Sequence, residues 1–338
     1  MSLIVMKFGG TSVATAESRQ AAIDHVKAEL RAGNRVVAVV SAMGRKGAPY
    51  ATDTLLGLLR GGDLMVKDQL ISCGETISAC VFADELMENG VAARPFTGES
   101  ARIVTDTVFG SATVTDMDPG PLTEALEKGI VPVVTGFQGR TPDRFTTTLG
   151  RGGSDTSAVL IGGYLKADAV DIYTDVPGVA KADPRIVPEA AFMDTISQRD
   201  MLILAQWGSG VIHPKAVQAA MDFRVPLLRV RSTFDDLPGT AIGTEETPGL
   251  AGIAVLKDLS KAPEEGRTFV QSLPEGGAVI TVVYHGDAEK VLAAAAGRSV
   301  SREGDTVHIG VSREEVQETA VKLYAELIEG VYESHEEE

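Results

Sequence analysis

Three short segments of this chain gather the residue types that hold anions. The first is Lys7-Phe8-Gly9-Gly10-Thr11-Ser12. Two adjacent glycines after an apolar run let backbone N–H groups approach an anion closely, and a following helix adds its positive end. Lys7 supplies a point charge. The lysine precedes the glycines, so this is not a Walker-type loop, and a plain strand-to-helix connection remains the competing reading of a lone Gly-Gly pair. The second segment is Thr146-Thr147-Thr148-Leu149-Gly150-Arg151-Gly152-Gly153-Ser154-Asp155-Thr156-Ser157. Arg151 offers a planar fork matched to a carboxylate. Ser154 is expected to cap a helix that starts here, with Asp155 in its first turn. The third, Tyr173-Thr174-Asp175-Val176-Pro177-Gly178 continuing to Ala182-Asp183-Pro184-Arg185, leaves the C-terminal end of a predicted strand. Open α/β sheets bind ligands there, although Asp175 and Asp183 serve equally well as turn formers.

Elements that position these segments alternate along most of the chain. Strands are expected at Leu3 to Phe8, Arg35 to Val40, Ile130 to Thr135, Val170 to Thr174 and Pro226 to Val230. Between them the periodicity predicts helices over Ala16 to Arg31, Ile77 to Asn89, Ser154 to Leu165 and Gln198 to Trp207. Near-continuous apolar strands separated by helices indicate an α/β fold with a mainly parallel sheet between helix layers. Thr233 to Pro248, rich in Asp, Glu, Gly, Pro and Thr, marks the domain junction. Beyond it, strands at Ile253 to Leu256, Ala278 to Tyr284 and Thr306 to Val311 accompany helices at Ala288 to Ala296 and Arg313 to Gly330. The division is therefore 1–243, then a small α+β domain over 250–330, then an acidic tail over 331–338.

The formal net charge of −16 argues against nucleic acid or an anionic membrane as partner. It also requires cations to be concentrated wherever an anionic substrate binds. No apolar run reaches the roughly 20 residues of a membrane span, and no signal peptide is recognised, so the expected location is cytoplasmic. Cys73 and Cys80 are expected to be buried, reduced thiols, and no metal-ligand cluster stands out.

Lys7-Phe8-Gly9-Gly10-Thr11-Ser12-Val13 resembles a signature of the aspartate kinases within the amino acid kinase family. Leu149-Gly150-Arg151-Gly152-Gly153-Ser154-Asp155-Thr156-Ser157-Ala158 resembles a second one. Val40-Ser41-Ala42-Met43-Gly44, Ser72-Cys73-Gly74-Glu75, Gly136-Phe137-Gln138-Gly139 and Arg229-Val230-Arg231-Ser232 follow in the family's order. Gly44 to Asp53 resembles the diaminopimelate-sensitive enzymes of Gram-positive bacteria.

The resemblance implies an ATP-dependent transfer to L-aspartate, giving ADP and 4-phospho-L-aspartate, the first step towards lysine, threonine and methionine. It implies Lys7, Gly9 and Gly10 on the ATP phosphates, with Mg²⁺ carried there too. It implies Thr52, Glu75, Arg151, Gly152, Gly153 and Ser154 around aspartate, with Arg151 on the α-carboxylate and Glu75 near the amino group. Asp155 orders the reacting centre, while Thr174, Asp175, Asp183 and Arg185 line the nucleotide side. The family usually carries a tyrosine where Ala180 stands and a lysine where Gly210 stands, and Lys181 or Lys215 is expected to return the lost charge. About 80 residues of C-terminal domain have room for one ACT-like module where the family generally has two. That leads to an expectation of a homodimer through this domain and of weakened feedback inhibition. Two other readings stand beside this one: another kinase of the same fold, or a catalytically weak regulatory partner.

Overall fold

Apolar runs buried on both faces form parallel strands, and all six residues of the first strand are buried. The computed structural model describes residues 1–246 and 248–329, so the expected acidic tail lies outside the described residues. The chain opens with β1 (Leu3–Phe8), α1 (Ala16–Arg31), β2 (Arg35–Val40), α2 (Thr52–Leu56), α3 (Leu64–Glu88) and β3 (Ala93–Phe96). It continues through β4 (Ile103–Thr105), β5 (Val114–Met117), α4 (Gly120–Glu127), β6 (Val131–Thr135), β7 (Gln138–Arg140) and β8 (Thr146–Thr148). Then come α5 (Gly153–Leu165), β9 (Ala169–Thr174), β10 (Thr195–Ser197), α6 (Gln198–Gln206), α7 (Pro214–Asp222), β11 (Leu228–Ser232) and β12 (Thr240–Gly243). The last elements are β13 (Gly249–Leu256), α8 (Arg267–Gln271), β14 (Gly277–His285), α9 (Ala288–Ala294), β15 (Ser299–Glu303), β16 (Thr306–Ser312) and α10 (Val316–Glu329).

Two compact units share this chain, and neither is continuous in sequence. Met1–Pro177 groups with Lys215–Gly239, and Gly178–Pro214 groups with the residues from Thr240 onward. The sequence draws a single junction after residue 243, whereas the units exchange the segment from 178 to 214.

In the first unit the strands run β11-β9-β1-β2-β6-β3, every neighbouring pair parallel. The chain leaves β1 towards β2 on one side, while β9 lies on the other. Strand order therefore reverses at β1, which opens a crevice at the strands' C-terminal ends. Fully buried Asp171 on β9 accepts from Arg229 on β11 at 2.6 and 2.8 Å, so that arginine ties neighbouring strands together. A second sheet, β5-β4-β7-β8, was not foreseen, because its strands are only three or four residues long.

Helix α3 corrects two expectations. It starts at Leu64, capped by Asp63 accepting from Val66 N–H at 2.9 Å, rather than near Ile77. Its buried face carries Asp68, Ser72, Glu75 and Ser78, so the apolar stripe that normally reveals a helix is broken. Cys73 and Cys80 lie seven residues apart on the opposite face and are both exposed.

The second unit pairs β10 with β12 in parallel and builds an antiparallel sheet in the order β13-β14-β16-β15. Ile280, Val282, Ile309, Val291 and Leu323 pack α9 and α10 against one face of that sheet. This is the small α+β domain expected from the sequence. Among the described residues no helix is long and apolar enough to cross a membrane.

Asp68 fastens α3 to the loops that carry the glycines. Its carboxylate, fully buried, accepts from Gly110 N–H and Thr148 N–H at 2.9 Å each and from Thr148 Oγ1 at 2.6 Å. Asp68→Ala should destabilise the protein by roughly 3 kcal/mol or more, because two buried donors and one partly buried donor lose their acceptor. Urea unfolding measures this, and a loss below about 1 kcal/mol would contradict the assigned role.

Candidate active site

Lys7 stands near the end of β1, paired with Val39 on β2 and Ile172 on β9. Its side chain is buried, and Nζ lies 2.6 Å from Oδ1 of Asp155 in the first turn of α5. A buried ammonium needs such a partner, since desolvation costs several kcal/mol per ion. Immediately after, Gly10 meets the loop that follows β2. Gly44 N–H donates to Gly10 carbonyl at 2.8 Å. A Cβ at Gly10 would fall 2.6 Å from the carbonyl oxygen of Gly44 and 2.9 Å from that of Ala42. Only glycine permits this approach. Gly9 N–H in turn donates to Tyr173 carbonyl at 3.3 Å, which links the turn to the end of β9.

The start of α5 differs from the sequence expectation in one respect. Gly152, in the left-handed conformation at φ 70°, is the N-cap and provides no side-chain cap, whereas Ser154 is already inside the helix. Ser154 packs instead on Gly136, where a Cβ would lie 2.7 Å from the serine's own Cβ. Gly150 is left-handed as well, at φ 74°, and Gly153 packs on Phe137. The helix therefore presents an uncapped, positive end. Arg151 is exposed beside it and makes no ion pair or hydrogen bond among the described residues.

Glu75 is almost completely buried on α3. Its Oε1 accepts from Ala42 N–H at 3.1 Å, while Oε2 is buried with no hydrogen-bond partner. Burial pushes its pKa up to about 8. An orphaned buried carboxylate oxygen calls for a donor, and an ammonium group satisfies it. Gly74 lets the helix come close: a Cβ there would lie 2.7 Å from Tyr50 carbonyl oxygen and 2.9 Å from Ala42 Cβ. Thr52, half-buried, is the first residue of α2, two positions beyond Tyr50.

Among the residues expected to line the nucleotide, Thr174 closes β9 and its Oγ1 donates to Asp175 at 3.2 Å. Arg45 reaches Asp175 at 2.8 Å, an exposed pair of little energetic weight. Lys181, Asp183 and Arg185 belong to the second unit. Lys181 is half-buried, and desolvation lowers its pKa. Asp183 accepts from Arg185 at 2.7 Å, and that bond holds the carboxyl below its usual range. A Cβ at Gly210 would meet nothing within 4 Å, so the site of the family's lysine is open space. Sequence reasoning did not single out Asp68, His25 or Thr233, because their partners lie 80, 208 and 221 residues away.

Residues 2–228 match the amino acid kinase family. The chain is 44% identical over 274 residues to aspartokinase 1 of Bacillus subtilis, covering 77% of this chain and 68% of that one. It is 41% identical over 288 residues to aspartokinase 2 of the same organism, covering 84% and 69% respectively. Among solved structures, Escherichia coli aspartokinase III in complex with aspartate and ADP shares its fold. The TM-score is 0.75 at 22% identity, over 96% of this chain and 100% of that one.

The raised pKa of Glu75 has a stability consequence. The folded state keeps a proton that the unfolded chain, with an ordinary value of 4.5, has already released. Stability should therefore fall as pH rises from about 4.5 to about 8 and level off above, by about 1.4 kcal/mol per pH unit. Glu75→Gln should remove that component in urea unfolding measured across this range. Equal slopes in the two proteins would contradict the assignment.

Proposed function

The chain belongs to the amino acid kinase family, and we infer that it is an aspartate kinase that transfers the γ-phosphoryl group of ATP to the side-chain carboxylate of L-aspartate. The observation that carries this reading is the buried Lys7–Asp155 pair at the mouth of the β1 crevice, with an uncapped helix start beside it.

In the reaction an oxygen of the aspartate side chain attacks the γ-phosphorus. The bond from that phosphorus to the β–γ bridging oxygen breaks, and ADP leaves with the electron pair. No proton has to move, because the attacking carboxylate is ionised at neutral pH. Catalysis is then positioning and charge neutralisation. Lys7 and the N–H of Gly10 would hold phosphate oxygens, with Gly9, whose own N–H is taken by the Tyr173 carbonyl, leaving room for their approach, and Asp155 would keep the Lys7 ammonium on its axis. Arg151 would fork onto the α-carboxylate of aspartate. Glu75 would take its ammonium through Oε2, with Thr52, Gly152, Gly153 and Ser154 forming the surrounding wall. Within the first unit, Thr174 and Asp175 would serve the nucleotide.

Among the described residues no three His, Cys, Asp or Glu side chains converge on a possible metal position. Mg²⁺ would be carried on the phosphate oxygens with its own waters, as this small cation is commonly bound. It would supply charge neutralisation at the transferred group.

Coupled measurement of ADP release tests the reading with aspartate, glutamate, acetylglutamate and no acceptor. Aspartate should be preferred by at least about 100-fold, and Lys7→Met should lower kcat by about 100-fold or more, the usual loss for a donor to a transition-state oxygen. Equal rates with glutamate, or a fully active Lys7→Met protein, would defeat it.

A second outcome concerns protons. Glu75 is largely protonated at pH 7, and a bound ammonium favours its ionised form. Aspartate binding should therefore release close to one proton. Calorimetric titration in two buffers of different ionisation enthalpy measures it, and Glu75→Gln should abolish the release. A buffer-independent heat in the unsubstituted protein would contradict the assignment.

A further inference from the structure

We propose that Thr233 is a positioning residue for the phosphate-binding turn, acting through Ser12. The proposal rests on the kinase reading above and adds to it two residues to which that reading gives no role.

Thr233 follows β11, and both it and Ser12 are buried. Its Oγ1 donates to Ser12 Oγ at 2.6 Å across 221 residues of sequence. The backbone of Thr233 is anchored separately. Its N–H donates to Thr174 carbonyl at 2.9 Å, and His25 Nε2 on α1 lies 3.1 Å from its carbonyl oxygen. A carbonyl only accepts, so His25 carries its proton on Nε2. The ring of His25 is in turn held against Tyr173, with centroids 4.6 Å apart. Main chain and ring thus tie Thr233 to β9 and α1, and the hydroxyl alone reaches the turn after β1.

Ser12 is the closing residue of that turn. Its N–H donates to Gly9 carbonyl at 2.9 Å. A Cβ at Gly9 would lie 3.4 Å from Lys7 Nζ and 3.9 Å from Ser12 Oγ, so the serine hydroxyl and the lysine ammonium flank the same glycine. Gly9 N–H is held by the Tyr173 carbonyl, so where Ser12 sits decides how the rest of the turn, with the Gly10 donor, lies relative to Lys7. A hydroxyl that serves only stability would not distinguish the two substrates. One that orients this turn acts on ATP and leaves aspartate binding alone.

Steady-state kinetics and thermal unfolding of the full-length protein provide the test. Thr233→Val keeps the shape and removes the donor. The KM for ATP should rise about five- to tenfold, the equivalent of one buried hydrogen bond, with the KM for aspartate within about twofold. Thr233→Ser restores the hydroxyl and should return the ATP KM to within about twofold of the unsubstituted value. Ser12→Ala breaks the bond from the other side and should raise the ATP KM as Thr233→Val does. The double variant should be no worse than the poorer single one, because both remove one interaction.

If Thr233→Val does not fold, Ser12→Ala and Thr233→Ser still decide the matter. An ATP KM unchanged in Ser12→Ala, a Thr233→Ser protein as impaired as Thr233→Val, or multiplicative effects in the double variant would each overturn the proposal. An unsubstituted protein that releases no ADP with aspartate defeats the kinase reading and this inference together. An active one indifferent to both substitutions defeats the inference alone.

Discussion

A lysine ammonium buried at the C-terminal end of a central strand is costly unless something negative is delivered to it. In this chain Asp155 is delivered, at 2.6 Å, and much of the first unit can be understood as the means of delivery. Lys7 is fixed by β1, which is paired on both sides and buried along its length. Asp155 is fixed by α5, whose start is set by left-handed Gly150 and Gly152 and by the contact of Ser154 with Gly136 after β6. Each of those glycines permits an approach that a side chain would block or a conformation that a side chain would strain. The pair is consequently held from both sides, while Arg151 and the uncapped helix end beside it stay open to a ligand. A strongly acidic protein thereby gathers its cations where two anions must meet.

Glu75 provides the complementary constraint. It is held neutral by burial with one oxygen unpaired, so it can discriminate a substrate that brings an ammonium group. The same helix buries Asp68, which fastens it to Thr148 and Gly110, and the close packing at Gly74 sets its distance from the loop after β2. One polar-faced helix therefore both supports the glycine loop and carries the buried carboxylate to which the proposed function assigns the substrate ammonium. Its buried polar groups are structural expense incurred for the site.

The physical reason for what was legible in sequence is locality. Strands β1, β2 and β9 announce themselves as near-continuous apolar runs, and α5 by the glycines in front of it. The residues at their ends could be assigned chemistry before any coordinates. The first half of α3 is hidden by Asp68, Ser72 and Glu75 on its inner face, and Cys73 and Cys80, a residue type usually buried, are exposed on the other face. Ser154 looks like a cap because serine favours that position, but left-handed Gly152 takes it and the hydroxyl is turned to Gly136. The small sheet β5-β4-β7-β8 is built from strands too short to show a period. Thr233 and His25 carry no local signal whatever: their meaning comes from partners more than two hundred residues away. The grouping of residues 178 to 214 with the C-terminal domain is likewise a fact of packing, and composition at the junction does not display it.

The account's central claim is that the anions gathered at Lys7 react to form an acyl phosphate. Hydroxylamine converts an acyl phosphate to a hydroxamate, so incubation with ATP, Mg²⁺, aspartate and hydroxylamine, followed by mass spectrometry, reads the product directly. The account predicts the β-hydroxamate of aspartate, formed in step with ADP and absent when Lys7 is replaced by methionine. ADP formed without hydroxamate, or hydroxamate formed equally well without Lys7, would contradict it.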